Sequence, residues 1–267
     1  MDQLALVNWH LGYLKTAASQ VQEANRIAAD SGHPWGRTFA AFYSAWFHQM
    51  RGDARQTLAY ATEAAEIAEE KGFRFWMPLV GFMRAWAASR DPAKVEVPRN
   101  SGGTETMRDC LDRYRGVGAG AGVTYLSFKL AEDYLAQGDH DAANTALEEG
   151  WAALQASGER FSEPEYYRLK ARLNLARHKE SGLVDSLEEA DRLLRRALTT
   201  AQKIESKGLE LRAAIDRAGM LSERAGHEEA VSLLEGILRR YDETDDSVDC
   251  VHARELAKRL KKAGGKG

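Results

Sequence analysis

Apolar side chains recur along this chain at spacings of three and four, the period that gathers them on one face of an α-helix. In 54–70, Leu58, Ala61, Ala65 and Ala68 form such a stripe, and Glu63, Glu66, Glu69 and Glu70 fall largely off it. Leu187, Ala190, Leu194, Ala197, Leu198 and Ala201 repeat the pattern in 185–203. Ala230, Leu233, Leu234, Ile237 and Leu238 do so in 227–241. No alternating run of β-branched residues is long enough for a half-buried strand.

Turn signals cut these stripes at near-regular intervals. Leu11-Gly12-Tyr13, Arg51-Gly52-Asp53, Arg90-Asp91-Pro92, Gln137-Gly138-Asp139, Glu180-Ser181-Gly182 and Ala225-Gly226-His227 lie about 39 to 47 residues apart. A second series falls between them: Ser31-Gly32-His33-Pro34, Lys71-Gly72-Phe73, the glycine-rich 116–122, Ser157-Gly158-Glu159 and Ser206-Lys207-Gly208. Each interval therefore divides into two helices, and the repeating unit is a helical hairpin. The first helices carry the aromatics, such as Phe39, Phe42, Trp46, Trp76, Phe82, Tyr125 and Tyr166, while the second are rich in alanine and leucine. That asymmetry suits stacked hairpins, where alanine permits close helix approach and large side chains fill the space between layers.

The expected fold is all-α: a right-handed α-α superhelix, a tetratricopeptide-like solenoid, of about six helical hairpins plus a C-terminal capping helix. The capping helix is expected over 248–262, with Val251, Leu256 and Leu260 covering the end of the stack. One domain is expected over 1–262. Pro92, Pro98 and Ser101-Gly102-Gly103 predict a mobile loop at about 90–104, and the Gly/Lys-rich 263–267 predicts a disordered tail.

Composition narrows the function. The chain has 37 basic and 40 acidic residues among 267, a formal net charge of −3. That balance excludes a general nucleic-acid binder, which needs a basic stripe to displace counterions. No segment approaches the roughly 20 apolar residues that span a bilayer. The start, Met1-Asp2-Gln3-Leu4, lacks a basic n-region, and Cys110 and Cys250 lie 140 positions apart. The expectation is a cytoplasmic protein with free thiols, bound neither to nucleic acid nor to membrane.

Candidate chemistry is sparse. Gly116, Gly118, Gly120 and Gly122 suggest a phosphate loop, but a helical segment precedes them and no Gly-Lys-Ser/Thr follows, so they read as an inter-helix connection. The seven histidines form no His-Glu-x-x-His pair. No Gly-x-Ser-x-Gly elbow occurs, and Cys250 and His252 would sit on different helix faces. Arg51-Gly52-Asp53 matches an adhesion tripeptide by letters, but it falls where a repeat turn needs glycine anyway. The cationic run near the end, with Arg254, Lys258, Arg259, Lys261 and Lys262, reads as a solvated helix end favoured by its dipole. No catalytic residue, metal ligand or cofactor is expected.

Several stretches carry a resemblance: Glu165-Tyr166-Tyr167-Arg168-Leu169-Lys170, Glu189-Ala190-Asp191-Arg192-Leu193-Leu194-Arg195-Arg196-Ala197-Leu198 and Glu210-Leu211-Arg212-Ala213-Ala214, with Gly32-His33-Pro34 and Ala45-Trp46-Phe47-His48-Gln49-Met50-Arg51-Gly52-Asp53 nearer the start. Over roughly 5–262 the chain resembles the C-terminal tetratricopeptide-like repeat region of bacterial multidomain signalling proteins. In those proteins a class III adenylate/guanylate cyclase domain and an ATPase domain precede the repeats; related transcriptional regulators carry the repeats too. Ala171-Arg172 departs from the Gly-Glu pair usual there.

The resemblance implies a non-enzymatic regulatory module for a protein partner, an attached signalling domain or a second copy of the chain. Two alternatives follow from it: a fragment of a cyclase/ATPase enzyme without its catalytic domain, or the ligand-sensing region of a transcriptional regulator. In such stacks the first helices line the binding groove, and aromatic and Arg side chains dominate binding energy. Tyr43, His48, Arg84, Lys129 and Arg168 are the expected partner-binding residues of that groove.

Overall fold

Two identical pieces of punctuation show how local sequence sets the helix ends. At Gly52 and Gly138 the backbone turns left-handed, with φ of 77° and 79°, a conformation glycine adopts without a Cβ penalty. The following aspartate then caps the next helix. The Asp53 carboxylate accepts from the Gln56 N–H at 3.0 Å, and Asp139 accepts from the Ala142 N–H at 3.0 Å. The Arg51-Gly52-Asp53 tripeptide is thus occupied in ending one helix and starting another.

A computed structural model of the chain describes residues 1–90, 106–181, 184–224 and 226–264. The described residues form thirteen α-helices and no strand. They are α1 (Asp2–His10), α2 (Leu14–Ser31), α3 (Pro34–Met50), α4 (Ala54–Glu70), α5 (Trp76–Arg90), α6 (Met107–Gly116) and α7 (Val123–Gln137). Then come α8 (His140–Ser157), α9 (Glu163–Ser181), α10 (Val184–Lys203), α11 (Lys207–Glu223), α12 (His227–Leu238) and α13 (Val248–Gly264). A single 3-10 turn, Arg160–Ser162, leads into α9. Most of the expected loop at 90–104 and the last three residues of the expected tail lie outside the described residues. Ala263 and Gly264, expected to be disordered, continue α13, and α12 ends at Leu238 rather than running on to residue 241.

The chain forms two compact units: Met1–Trp9 with Tyr13–Val123, and His10–Gly12 with the residues from Thr124 onward. In the first, α3 packs on α2 and α4, α5 packs on α4 and α6, and α3 also touches α5. In the second, consecutive helices from α8 to α13 pack on one another, and α11 touches both α9 and α13.

The packing follows the sequence asymmetry. The predicted stripes face inward: Ala61, Ala65 and Ala68 on α4, and Ala190, Leu194, Ala197 and Ala201 on α10, are buried. Alanine on these second helices lets the first helices sink in on several sides. Helix α11 is the extreme case, with residues 208–215 all buried. It carries Glu210, Arg212 and Arg217 into that environment, so each must find a charged partner. Arg217 donates to Asp191 at 3.0 Å and Glu229 at 2.8 Å, and Arg240 reaches Glu210 at 2.6 Å.

In the first unit the core is aromatic. Trp76 lies 5.2 Å from Phe42 and 5.9 Å from Phe39, and Tyr43 stacks on Trp46 at 5.8 Å. The left-handed glycine at 122 lies under this cluster: a Cβ there would meet the Trp46 ring at 3.3 Å.

Candidate functional site

Helical spacing gathers charge on one face of the second unit. Lys129 and Glu132 on α7, Glu165, Arg168 and Arg172 on α9, and Arg212 and Asp216 on α11 follow three- and four-residue steps, so each set projects from one side of its helix. Asp249 near the start of α13 completes them. Arg168 is the centre and is 4% exposed. Its Nε and Nη2 donate to the two Glu165 oxygens, each at 2.8 Å, as a bidentate fork. Nη2 also donates to Glu132 at 2.8 Å and Nη1 to Asp216 at 2.9 Å. Lys129 donates to the other Glu132 oxygen at 3.0 Å, Arg172 approaches Glu132 at 3.5 Å, and Arg212 donates to Asp249 at 2.8 Å.

Four cations therefore meet four carboxylates, and the cluster is electrically balanced. Burial raises the Glu165 pKa, but the charge and hydrogen bonds of Arg168, helped by Arg212 and Lys129, overcome this and hold it at about 2. Glu132 is likewise held well below the usual carboxylate range: burial opposes ionisation, and Lys129, Arg168 and Arg172 outweigh it. Burial lowers the Lys129 pKa against the pull of Glu132. All four helices are thus pinned in register by charge that cannot be left unpaired.

His10 borders this cluster. Its Nδ1 is 2.7 Å from the Ser206 hydroxyl, and its ring meets Phe161 edge-on at 6.0 Å. Burial first, and then the positive charge of Arg212, hold its pKa at about 4 instead of 6.5, with Glu165 opposing. A histidine kept neutral in the fold binds fewer protons there than in the unfolded chain. The stability it permits is full above pH 6.5 and is lost as pH falls toward 4. The stability of the second unit against denaturant is expected to fall by on the order of 2–3 kcal/mol as pH drops across that window. His10→Gln should remove most of this slope; the same slope in the variant would assign it to another group.

The same face continues one to two turns further along the helices as an open cleft of about 350 Å³. Arg172, Leu175, Ala176 and Lys179 line it from α9, Ile215, Asp216, Gly219, Met220 and Glu223 from α11, and His252, Leu256 and Arg259 from α13. Its acids are already matched. Asp216 is bound to Arg168, and Glu223 accepts from Lys179 at 3.0 Å. Glu132, the partner of Arg172, also serves Lys129 and Arg168. The charge left facing the opening is positive, on Arg259, which is exposed.

The five expected groove residues fall into two groups. Lys129 and Arg168 come together through Glu132, and both are 4% exposed, so they organise this face from beneath. Tyr43, His48 and Arg84 belong to the first unit. Tyr43 is half-buried among Phe39, Phe42 and Trp46. His48 stacks on Tyr60 at 5.5 Å, and burial holds its pKa at about 4 although Asp53 lies 3.8 Å away. Arg84 is half-buried, with its Nε shielded from solvent and without a hydrogen-bond acceptor among the described residues.

Sequence reasoning did not single out Glu132, Glu165, Asp216 or Asp249 as site residues. It also passed over Gly219, and it took Arg259 for part of a solvated helix end. Lys129 with Glu132 and Glu165 with Arg168 show a three-residue pairing of opposite charges, but exposed pairs such as Glu189 with Arg192 show it too, so spacing alone does not mark the cluster.

Among the described residues no group of three His, Cys, Asp or Glu side chains converges to hold a metal ion, and no helix is long and apolar enough to cross a membrane. No protein-family model matches the chain, and no characterised protein matches it in sequence.

Proposed function

We infer that the chain is a non-enzymatic interaction module, a tetratricopeptide-like repeat whose first helices present a groove to a partner protein. One observation carries this reading: α9, α11 and α13 each contribute one stripe to a shared open cleft, so the unit offers a surface spanning several helices. The contacts of α3 with α5, of α9 with α11 and of α11 with α13 favour serial stacking of hairpins, the arrangement that generates such a surface. The buried charges beside the cleft are mutually neutralised and serve as a brace, unlike a reaction centre, which keeps an ionisable group poised for proton transfer.

The likeness to repeat regions of bacterial cyclase–ATPase signalling proteins favours a regulatory setting, in which partner binding biases an attached or associated domain. Crosslinking with mass spectrometry on the purified chain in its native extract is the test. The expected result is a discrete partner, or a second copy, crosslinked to α9, α11 or α13. A chain that crosslinks to nothing, or turnover of ATP by clean protein, overturns the reading.

A further inference from the structure

Gly219 stands in the middle of α11, where glycine costs about 1 kcal/mol relative to alanine. Helical glycine is commonly retained because another element packs too closely for a Cβ. Gly150 on α8 is such a case, with Phe128 carbons 2.6 and 2.8 Å from where its Cβ would be. Gly219 is not: nothing lies within 4 Å of its would-be Cβ. Its missing side chain instead leaves room in the cleft, beside Met220 and Leu256. The space has an apolar floor and a positive edge, because Arg259 is exposed with no carboxylate bound to it among the described residues; Arg172, held at 3.5 Å by Glu132, lines the same opening.

We propose that this cleft takes a segment of a partner protein in which a bulky apolar side chain is followed or preceded within one helical turn by Asp or Glu. The apolar side chain enters the space over Gly219, and the carboxylate meets Arg259 with Arg172 behind it. This names the partner chemistry of the site read above as an interaction surface, and rests on that reading. The charge complementarity selects an acidic segment over a basic one, since a cation at this edge would face Arg259, while the acids that line the cleft, Asp216 and Glu223, are already paired.

The test is selection of a random-peptide display library on the full chain, followed by titration of a labelled synthetic consensus peptide. Selected peptides are expected to pair Leu, Ile, Met or Phe with Asp or Glu, and to bind more weakly as salt rises. Gly219→Trp, which fills the cleft at a helix-compatible position, and Arg259→Glu, an exposed change, should each weaken binding at least tenfold. Arg192→Glu on the exposed face of α10 should leave it unchanged, and circular dichroism of each variant shows whether the helices persist. Library peptides that are basic or uncharged, or that bind Gly219→Trp and Arg259→Glu as tightly as the parent, overturn the acidic-segment proposal and leave the interaction-module reading standing. A library that yields no binder overturns the proposal; if crosslinking also finds no partner, the module reading falls with it.

Discussion

Replacing Arg168 by alanine is expected to destabilise the second unit by about 3–5 kcal/mol, the range for removing one partner from a buried ion pair. The reason is what stays behind. Among the described residues Glu165, with both oxygens bound to this guanidinium, keeps only Arg212 at 3.9 Å as an ion-pair partner, and Asp216 loses its hydrogen-bonded partner. Glu132 keeps Lys129 and Arg172, so the damage centres on Glu165 and Asp216. Arg168→Lys restores a charge but not the planar fork, and should recover part of the loss. Arg168→Met with Glu165→Gln removes a matched pair and should be milder than Arg168→Ala alone. Denaturant titration followed by helical circular dichroism measures all three. A loss below about 1 kcal/mol for Arg168→Ala would place this cluster with ordinary surface pairs.

Gly150 gives the second large effect. A Cβ on this α8 residue would lie 2.6 and 2.8 Å from two Phe128 ring carbons and 2.9 Å from the Ser127 Cβ, closer than packed carbons approach. Phe128 is 2% exposed, so its ring has no solvent-side space to swing into. Gly150→Ala gains about 1 kcal/mol of helix propensity but forces α7 and α8 apart, an overpacking cost of about 1–3 kcal/mol. Gly150→Leu adds bulk that no local shift absorbs and should prevent the second unit from folding stably. Gly219→Ala makes the same chemical change in open space and should stabilise by about 0.5–1 kcal/mol. Thermal unfolding of the two alanine variants is decisive: opposite signs support the two packing environments, and a rise in Tm for Gly150→Ala would refute the close approach.

Helix order was legible because its signals are local. A Gly-Asp pair ends one helix and caps the next using atoms within a few residues, and a three-four stripe of alanines needs only its own helix to be seen. The charged face was not legible because its partners are remote. Arg168 meets Glu132 across 36 positions and Asp216 across 48, and Arg212 meets Asp249 across 37. Local spacing misleads here. Glu165 with Arg168 and Glu189 with Arg192 are the same three-residue pair by sequence, yet the side chains of the first are 5% and 4% exposed and those of the second 40% and 61%. What separates them is the helix that lies on top, which no window along the chain contains. Lys129 and Arg168 were singled out for position on first helices; their depth under the surface depends on α11 and α13.

Each compact unit holds one thiol, Cys110 in the first and Cys250 in the second, and both are sealed from solvent. Burial, foremost, pushes Cys250 up to about 12, so at neutral pH only on the order of one molecule in 10⁵ carries the reactive thiolate while folded. An alkylating reagent can therefore modify either sulfur only when its surroundings open. Each sulfur thus times the opening of its own unit, read as two mass additions on two different peptides.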